Sequence, residues 1–222
     1  MTTKASTPKF VASALALTLC ASYAPGTLAA THKPAKKLPA PEFGTDYEYD
    51  SLQDAFKNGK AWLQFRLRHE RVNTGAPKLR NAYGTTLRSR LGFTSGYYHH
   101  ISGTAEFSNN TVIGKQKFNG GGGTSPSLSN YAIIADPNVT EVLQAFGTFN
   151  AIPNTKVQIG RQLINLDDQR FVGTVGFRQT EQSYDSGAID THFLPDTDIY
   201  YAYVWQVNRI WEIGRASCRE RV

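Results

Sequence analysis

Residues 61–70 read Ala-Trp-Leu-Gln-Phe-Arg-Leu-Arg-His-Glu, and this stretch decides the fold. Successive side chains of a β-strand point to opposite faces of the sheet, so odd and even positions lie on different faces. The odd positions at its start are apolar: Ala61, Leu63, Phe65 and Leu67. The even positions that follow are polar or charged: Gln64, Arg66, Arg68 and Glu70. The stretch is therefore predicted to form a strand with one apolar face and one ionic face.

Two more segments repeat this alternation. In 85–94 the apolar positions are Leu87, Leu91 and Phe93, with Ser89 as the exception. The positions between them are Thr86, Arg88, Arg90 and Thr94. In 101–108 the residues Ile101, Ala105 and Phe107 alternate with Ser102, Thr104, Glu106 and Ser108. Strands of about ten residues, apolar outside and polar inside, are typical of outer-membrane barrels.

Continued along the chain, the pattern predicts about seven strands. Their predicted bounds are 60–70, 83–94, 101–109, 139–149, 155–164, 180–190 and 198–210. The connections alternate between long and short, as in barrels with tight periplasmic turns and large external loops. We therefore predict an all-β fold: an antiparallel up-and-down transmembrane β-barrel, incomplete, with every long loop outside the cell.

The short turn at 95–100 suggests a register for its two strands. Centring the turn on Tyr97 places Arg88 opposite Glu106 and Leu87 opposite Phe107, so both faces are satisfied together. An arginine on the lipid face near the midplane costs roughly 2–4 kcal/mol. The ionic face is therefore predicted to line the lumen.

The first 58 residues divide into two segments. Residues 1–30 are predicted to be a secretory signal peptide, because Lys4 and Lys9 precede an apolar run and small residues follow it. The apolar run is too short for a membrane-spanning helix. Residues 31–58 are predicted to form a periplasmic leader, and their sequence allows a short helix at 51–58. The expected location is the bacterial outer membrane.

The C-terminal segment has a different character. Residues 212–222 read EIGRASCRERV, and one back-translation of them looks like a common sequencing-library adapter read in frame. We interpret this segment as a non-native tail, with a natural basic tail as the alternative. Residues 59–211 are then a partial barrel, the N-terminal part of a larger one.

Setting the signal peptide and the tail aside changes the composition. The chain has 24 Lys and Arg and 18 Asp and Glu. Without the two segments 19 basic and 16 acidic residues remain, and the net charge falls from +6 to about +3. Both cysteines, Cys20 and Cys218, are also removed, so no disulfide framework or thiol chemistry is expected. A lipoprotein signal at Cys20 is disfavoured because Leu19 stands where a small residue is needed.

The candidate pore-lining residues follow from the predicted inner face. They are Gln64, Arg66, Arg68, Glu70, Arg88, Arg90, Glu106 and Arg161. Four arginines on two neighbouring strands exceed what Glu106 can neutralise, and fixed guanidinium groups favour anionic solutes. The alternative is an ionic ladder that only fills the lumen.

Other chemistry finds little support. Asp167 and Asp168 are adjacent and are interpreted as loop residues that bond Arg170 or Arg178. The pair His99-His100 lacks a third ligand at metal spacing. The run 120–123 is glycine but lacks the Lys-Ser/Thr of a phosphate loop. We expect no enzyme activity, no metal, no cofactor and no nucleic-acid partner.

Several segments resemble the alginate-export family of bacterial outer-membrane porins. The most specific ones are Gly160-Arg161-Gln162, the run Asp167-Asp168-Gln169-Arg170-Phe171-Val172-Gly173 and the run Val175-Gly176-Phe177-Arg178-Gln179-Thr180-Glu181-Gln182. The first two predicted strands are also similar. The resemblance implies a monomeric barrel of about eighteen strands whose arginine-rich lumen passes an acidic polysaccharide such as alginate. It implies lumenal positions for Arg66, Arg68, Arg88, Arg90 and Arg161.

Two hypotheses of different class follow. The first is a passive outer-membrane channel for anionic or polar solutes, in contact with outer-membrane lipid. The alternative is a secreted soluble β-sandwich that binds carbohydrate. They differ in whether the apolar faces contact lipid or a second sheet.

Overall fold

The structure is a computed structural model that describes residues 12–21, 36–37, 47–194 and 196–211, the first two ranges as backbone only. The predicted tail at 212–222 lies outside the described residues. So does the predicted signal peptide, apart from the backbone of 12–21, and so does most of the predicted leader up to residue 46.

One antiparallel sheet dominates the fold. Three N-terminal strands come first: β1 (Ala12–Ala21), β2 (Lys36–Lys37) and β3 (Tyr47–Glu48). The helix α1 (Leu52–Lys57) follows, with Ser51 accepting from the Asp54 amide as its N-cap. The long strands are β4 (Lys60–Val72), β5 (Ala82–Thr94), β6 (Ile101–Lys117), β7 (Val139–Phe149), β8 (Thr155–Gln162), β9 (Ser183–Leu194) and β10 (Thr197–Asn208).

The seven long strands pair in chain order, which confirms the predicted all-β, antiparallel up-and-down arrangement. The sheet is open, because β4 and β10 do not pair with each other. The backbone of β1 lies antiparallel to β4 on its outer edge. Strand β6 continues to Lys117, well beyond its predicted end, and the other six strands have bounds close to those predicted. No helix in the described residues is both long and apolar enough to cross a membrane.

The predicted register between β5 and β6 is wrong, although the faces are right. Arg90 lies opposite Ser108, and Leu91 opposite Phe107. The turn is centred on His99 and His100, whose φ angles of 49° and 65° are those of a tight two-residue hairpin turn, and not on Tyr97. The observed partner of Arg88 is Asn110, four residues beyond the predicted partner Glu106. Because four is an even number, each side chain stays on its predicted face.

Burial along these strands is inverted relative to a soluble sheet. The charged side chains of β4 and β5 are covered: Arg68 is 1 % exposed and Arg88 4 % exposed. The apolar side chains on the other face are open, with Leu91 58 % exposed and Ile159 62 % exposed. We call the exposed side the apolar face; it includes Leu63, Phe65, Leu67, Leu91, Ile101, Phe107, Ile159 and Ile189.

Two loops cover the opposite side of the sheet. The β6–β7 connection, residues 118–138, supplies Phe118, Ala132 and Ile134 to a small core with Ala82. The β8–β9 connection, residues 163–182, folds back onto β4 and β5, and we call it the inward loop. Because its residues contact the covered side of the sheet, the inward loop turns back over the sheet and does not extend away from it.

Candidate functional site

The covered side of the sheet carries seven of the eight predicted site residues. We call it the polar face, and it includes Gln64, Arg66, Arg68, Glu70, Thr86, Arg88, Arg90, Ser102, Glu106, Ser108 and Asn110. Their common side follows from the strand period, since all occupy alternate positions and directly opposed pairs share a face. Gln64, for example, lies opposite Arg90, and Arg66 lies opposite Arg88.

Arg66 holds the backbone of the inward loop. Its Nη1 donates to the carbonyl oxygen of Gly176 at 3.0 Å, and its Nη2 donates to that of Phe177 at 2.8 Å. Arg68 also donates to the Phe177 carbonyl, and its guanidinium lies 4.0 Å from the centre of the Phe177 ring. Hydrogen bonds from a charged donor are stronger than neutral ones. The donors of these two arginines that bond the inward loop are therefore occupied and are not open to a solute.

Gln179 anchors the same loop from its own side. Its side chain is fully buried, and Nε2 donates to the carbonyl oxygens of Arg66 and Thr86, at 3.1 Å each. Its backbone amide donates to Asp136 Oδ1 at 2.7 Å, which ties the inward loop to the β6–β7 connection. Burial of Asp136 raises the pKa of its carboxyl group, although this hydrogen bond and Arg68 act in the opposite direction.

Glu181 brings a carboxylate to β5. Its Oε1 lies 3.1 Å from Arg88 Nη1 and 2.7 Å from Arg90 Nη2, and its side chain is 11 % exposed. Arg88 also donates to Gln64 Oε1 at 2.9 Å. Arg90 Nε lies 3.9 Å from Glu106 Oε1, and Glu106 Oε2 accepts from Gln144 at 2.6 Å. Residues of the sheet and a residue of the inward loop thus both contact the two arginines.

Glu70 lies at the centre of a second group of charges. Its Oε2 is 2.6 Å from Arg68 Nη2 and 3.3 Å from Arg178 Nη1 of the inward loop. Asp136 Oδ2 lies 3.8 Å from Arg68 Nε. Arg178 therefore pairs with a carboxylate of β4, whereas its expected partner was Asp167 or Asp168.

The charge balance differs from the predicted excess of arginine. Around the inward loop, the arginines of the polar face and Arg178 have four carboxylate partners: Glu70, Glu106, Asp136 and Glu181. Two of these carboxylates, Asp136 and Glu181, come from loops and not from strands. The expectation that Glu106 alone opposes the arginines is therefore wrong for this part of the polar face.

Arg161 is the predicted site residue that lies elsewhere. The register places it opposite Ala145 and Asp185. Along β8 its position alternates with those of Gln158 and Gln162, whose side chains point to the covered side of the sheet. Its Nε donates to Asp185 Oδ1 at 2.7 Å, and its Nη1 donates to the carbonyl of Val142 at 3.2 Å. The expectation that Arg161 lies on the same face as the other arginines is wrong. Arg161 lies on the apolar face, as Ile159 does, and it joins β7 to β9 there.

A cavity of about 640 Å³ lies at the short-turn end of the polar face. Its polar lining includes Lys60, Thr94, Ser102, Thr148, Lys156 and Gln158. The segment before β4 borders it, because the Tyr49 amide donates to the Tyr97 carbonyl and the Gly96 amide donates to the Ala55 carbonyl, both at 2.8 Å. Hydroxyl, amide and ammonium groups suit a hydrated solute better than an apolar one.

Sequence reasoning missed Asp136, Gln179 and Glu181. Asp136 and Gln179 lie outside the predicted strands, and Glu181 lies within the predicted strand 180–190 but before β9, which begins at Ser183. Strand periodicity therefore did not indicate where these side chains point. The useful signal was indirect: buried arginines need partners, and the loop that carries Arg178 also carries Glu181 three residues later. Within the described residues no cluster of three or more His, Cys, Asp or Glu could hold a metal ion.

No protein-family model, curated protein or solved structure matches the chain. The resemblance to alginate-export porins therefore rests on the quoted segments alone, most of which form the inward loop.

Proposed function

We propose that the chain forms part of an outer-membrane channel that passes polar and anionic solutes by passive diffusion. In this proposal the polar face is the wall of a water-filled bore, and the apolar face contacts lipid. Solutes pass along the side of the inward loop that faces away from β4 and β5. An acidic polysaccharide such as alginate is the solute that the family resemblance favours.

The observation that carries the proposal is the inverted burial. Fully burying a Leu, Ile or Phe side chain is worth about 1.5–3 kcal/mol, so a sheet in water gains by covering them. Here the covered side chains are arginines and carboxylates, and the open ones include Leu91 and Phe107. Hydrocarbon outside and water inside is the environment in which this distribution is favourable.

Strand length agrees with the same environment. A tilted strand of about 9–11 residues crosses the hydrocarbon core. Strands β4 and β5 have 13 residues each, which allows a full crossing with both ends in the headgroup region.

Closure of the sheet is also part of the proposal. An unpaired strand edge is costly in lipid, because no water satisfies its backbone groups. β10 has an unpaired outer edge among the described residues, and removal of a signal peptide would free the β4 edge that β1 covers. We propose that further strands join these two edges in the complete channel.

The soluble β-sandwich is the alternative, and it needs a second sheet over the apolar face. The other sheet in the described part of the chain is the two-residue pair of β2 and β3, which is too small to cover that face. The inverted burial therefore favours the channel over the sandwich.

Two experiments test the channel. Cell fractionation should recover the full-length protein with the outer membrane, and recovery in the soluble periplasm would refute the proposal. In planar bilayers the purified protein should give single-channel currents that prefer anions and are blocked by uronate oligomers. Cation selectivity would contradict the role assigned to the arginines.

A further inference from the structure

The pair Arg88 and Arg90 differs from Arg66 and Arg68 in the kind of contact that each pair makes with the inward loop. Arg66 and Arg68 donate to backbone carbonyls of the inward loop, so releasing them requires the loop backbone to move. Arg88 and Arg90 share one side-chain oxygen of Glu181. A side-chain carboxylate can leave by rotation while the loop backbone stays docked.

Each of the two guanidinium groups also has a neighbour on the sheet. Gln64 accepts from Arg88 at 2.9 Å, and Glu106 lies 3.9 Å from Arg90. The Nε atoms of both arginines have no hydrogen-bond partner among the described residues. The pair therefore offers more donors than Glu181 uses, in the forked geometry that matches a carboxylate.

We propose that Glu181 is an internal competitor at the Arg88–Arg90 site: its carboxylate takes the position that a carboxylate group of a passing solute occupies, and Glu181 thereby sets the charge preference of the bore. This inference rests on the proposed channel function. The ligand class is a carboxylate-bearing small molecule or sugar unit. A neutral sugar cannot compete with Glu181, because it brings no charge to the two guanidinium groups.

The chain offers a matched control. Asp168 belongs to the same inward loop and is exposed, and no ion pair joins it to the polar face among the described residues. Its φ of 54° is one that asparagine adopts readily. Asp168→Asn removes the same charge from the same loop as Glu181→Gln, and it leaves the arginine pair untouched.

The experiment compares wild type, Glu181→Gln and Asp168→Asn in the full-length protein. Equilibrium binding of trigalacturonate is measured in detergent micelles, and reversal potential in a KCl gradient is measured in bilayers. Removing a bound competitor should lower the Kd for trigalacturonate about tenfold and raise the chloride-to-potassium permeability ratio. Asp168→Asn should stay within about twofold of wild type. Heat-modifiable mobility on a gel shows that each variant is folded.

Two results would overturn the inference. If Glu181→Gln binds trigalacturonate like Asp168→Asn, Glu181 does not compete; if it binds more weakly than wild type, Glu181 positions the arginines instead. Should Glu181→Gln not fold, Glu181→Asp tests the same point, because its shorter side chain should weaken competition and tighten binding to a smaller extent. If the wild-type protein shows no conductance in bilayers, the proposed channel function is refuted. The binding measurement in micelles would still decide whether Glu181 competes with a carboxylate.

Discussion

Replacing Leu91 with arginine is the sharpest test of which solvent the apolar face contacts. Leu91 lies opposite Leu63 of β4 and Phe107 of β6. Phe107 is six residues beyond Ile101, where β6 leaves the short turn. At about 3.3 Å per residue and a tilt of about 40°, this is roughly 15 Å along the membrane normal. In a hydrocarbon core of about 30 Å, Leu91 is at the midplane.

The expected cost follows from that depth. Arginine on the lipid face costs about 2–4 kcal/mol at the midplane and about 0–1 kcal/mol near the interface. The midplane cost corresponds to a roughly 30- to 700-fold change in the folding equilibrium. Ile113 is the matched control, because it lies on the same face of β6 another six residues toward the long loops. Ile113→Arg should therefore cost about 1 kcal/mol or less.

The assay is urea-dependent folding of the full-length protein into phospholipid vesicles, read as the fraction of heat-modifiable protein on a gel. Leu91→Arg should shift the unfolding midpoint strongly and Ile113→Arg weakly. In a soluble sheet, both side chains would face water and both substitutions would stay within about 0.5 kcal/mol. Equal and small effects at the two positions would refute the assignment of the apolar face to lipid.

Three further outcomes are expected. Glu70→Gln removes the carboxylate that pairs with Arg178 of the inward loop, so it should weaken docking of the loop by about 1–3 kcal/mol, seen as faster tryptic cleavage at Arg170; unchanged cleavage would contradict the role of Glu70. Burial raises the pKa of Asp136 above its ordinary value of 3.8, so the docked state of the inward loop holds the proton more tightly than the undocked state. Docking should therefore weaken as the pH rises from 3.8 through the raised pKa. Asp136→Asn should remove this dependence in hydrogen exchange of the loop amides, and an unchanged pH profile would count against it. The 222 residues alone should give no heat-modifiable band, since both sheet edges would need partners in lipid; a shifted band would show that they close by themselves.

Strand positions and faces could be predicted because the period of two is a local property of the sequence. From Gln64 to Glu70 every second residue is charged or polar, and that alone places Arg66 and Arg68 on one face. The register could not be found the same way. It depends on which residues form the turn, and His99 and His100 adopt left-handed φ angles that their sequence does not demand.

The inward loop was beyond sequence reasoning for a different reason. Its contacts are a few specific pairings, such as Gln179 with Thr86 and Glu181 with Arg88, and these have no repeat in the sequence. The resemblance drew attention to this segment but did not indicate that it folds over the arginines. Arg161 was misplaced because β8 is short, and its alternation around Gly160 was too weak to fix a face.

The contacts of the inward loop also constrain the order of assembly. Arg66 and the Gly176 carbonyl that it binds are 110 residues apart in the chain. Contacts between such distant segments form late, because the intervening chain must lose its freedom first. Hairpins built from neighbouring strands come earlier, so the guanidinium groups of β4 stay hydrated until the loop arrives. The arginines that bind the inward loop in the folded protein thus keep the polar face of the sheet hydrated during folding.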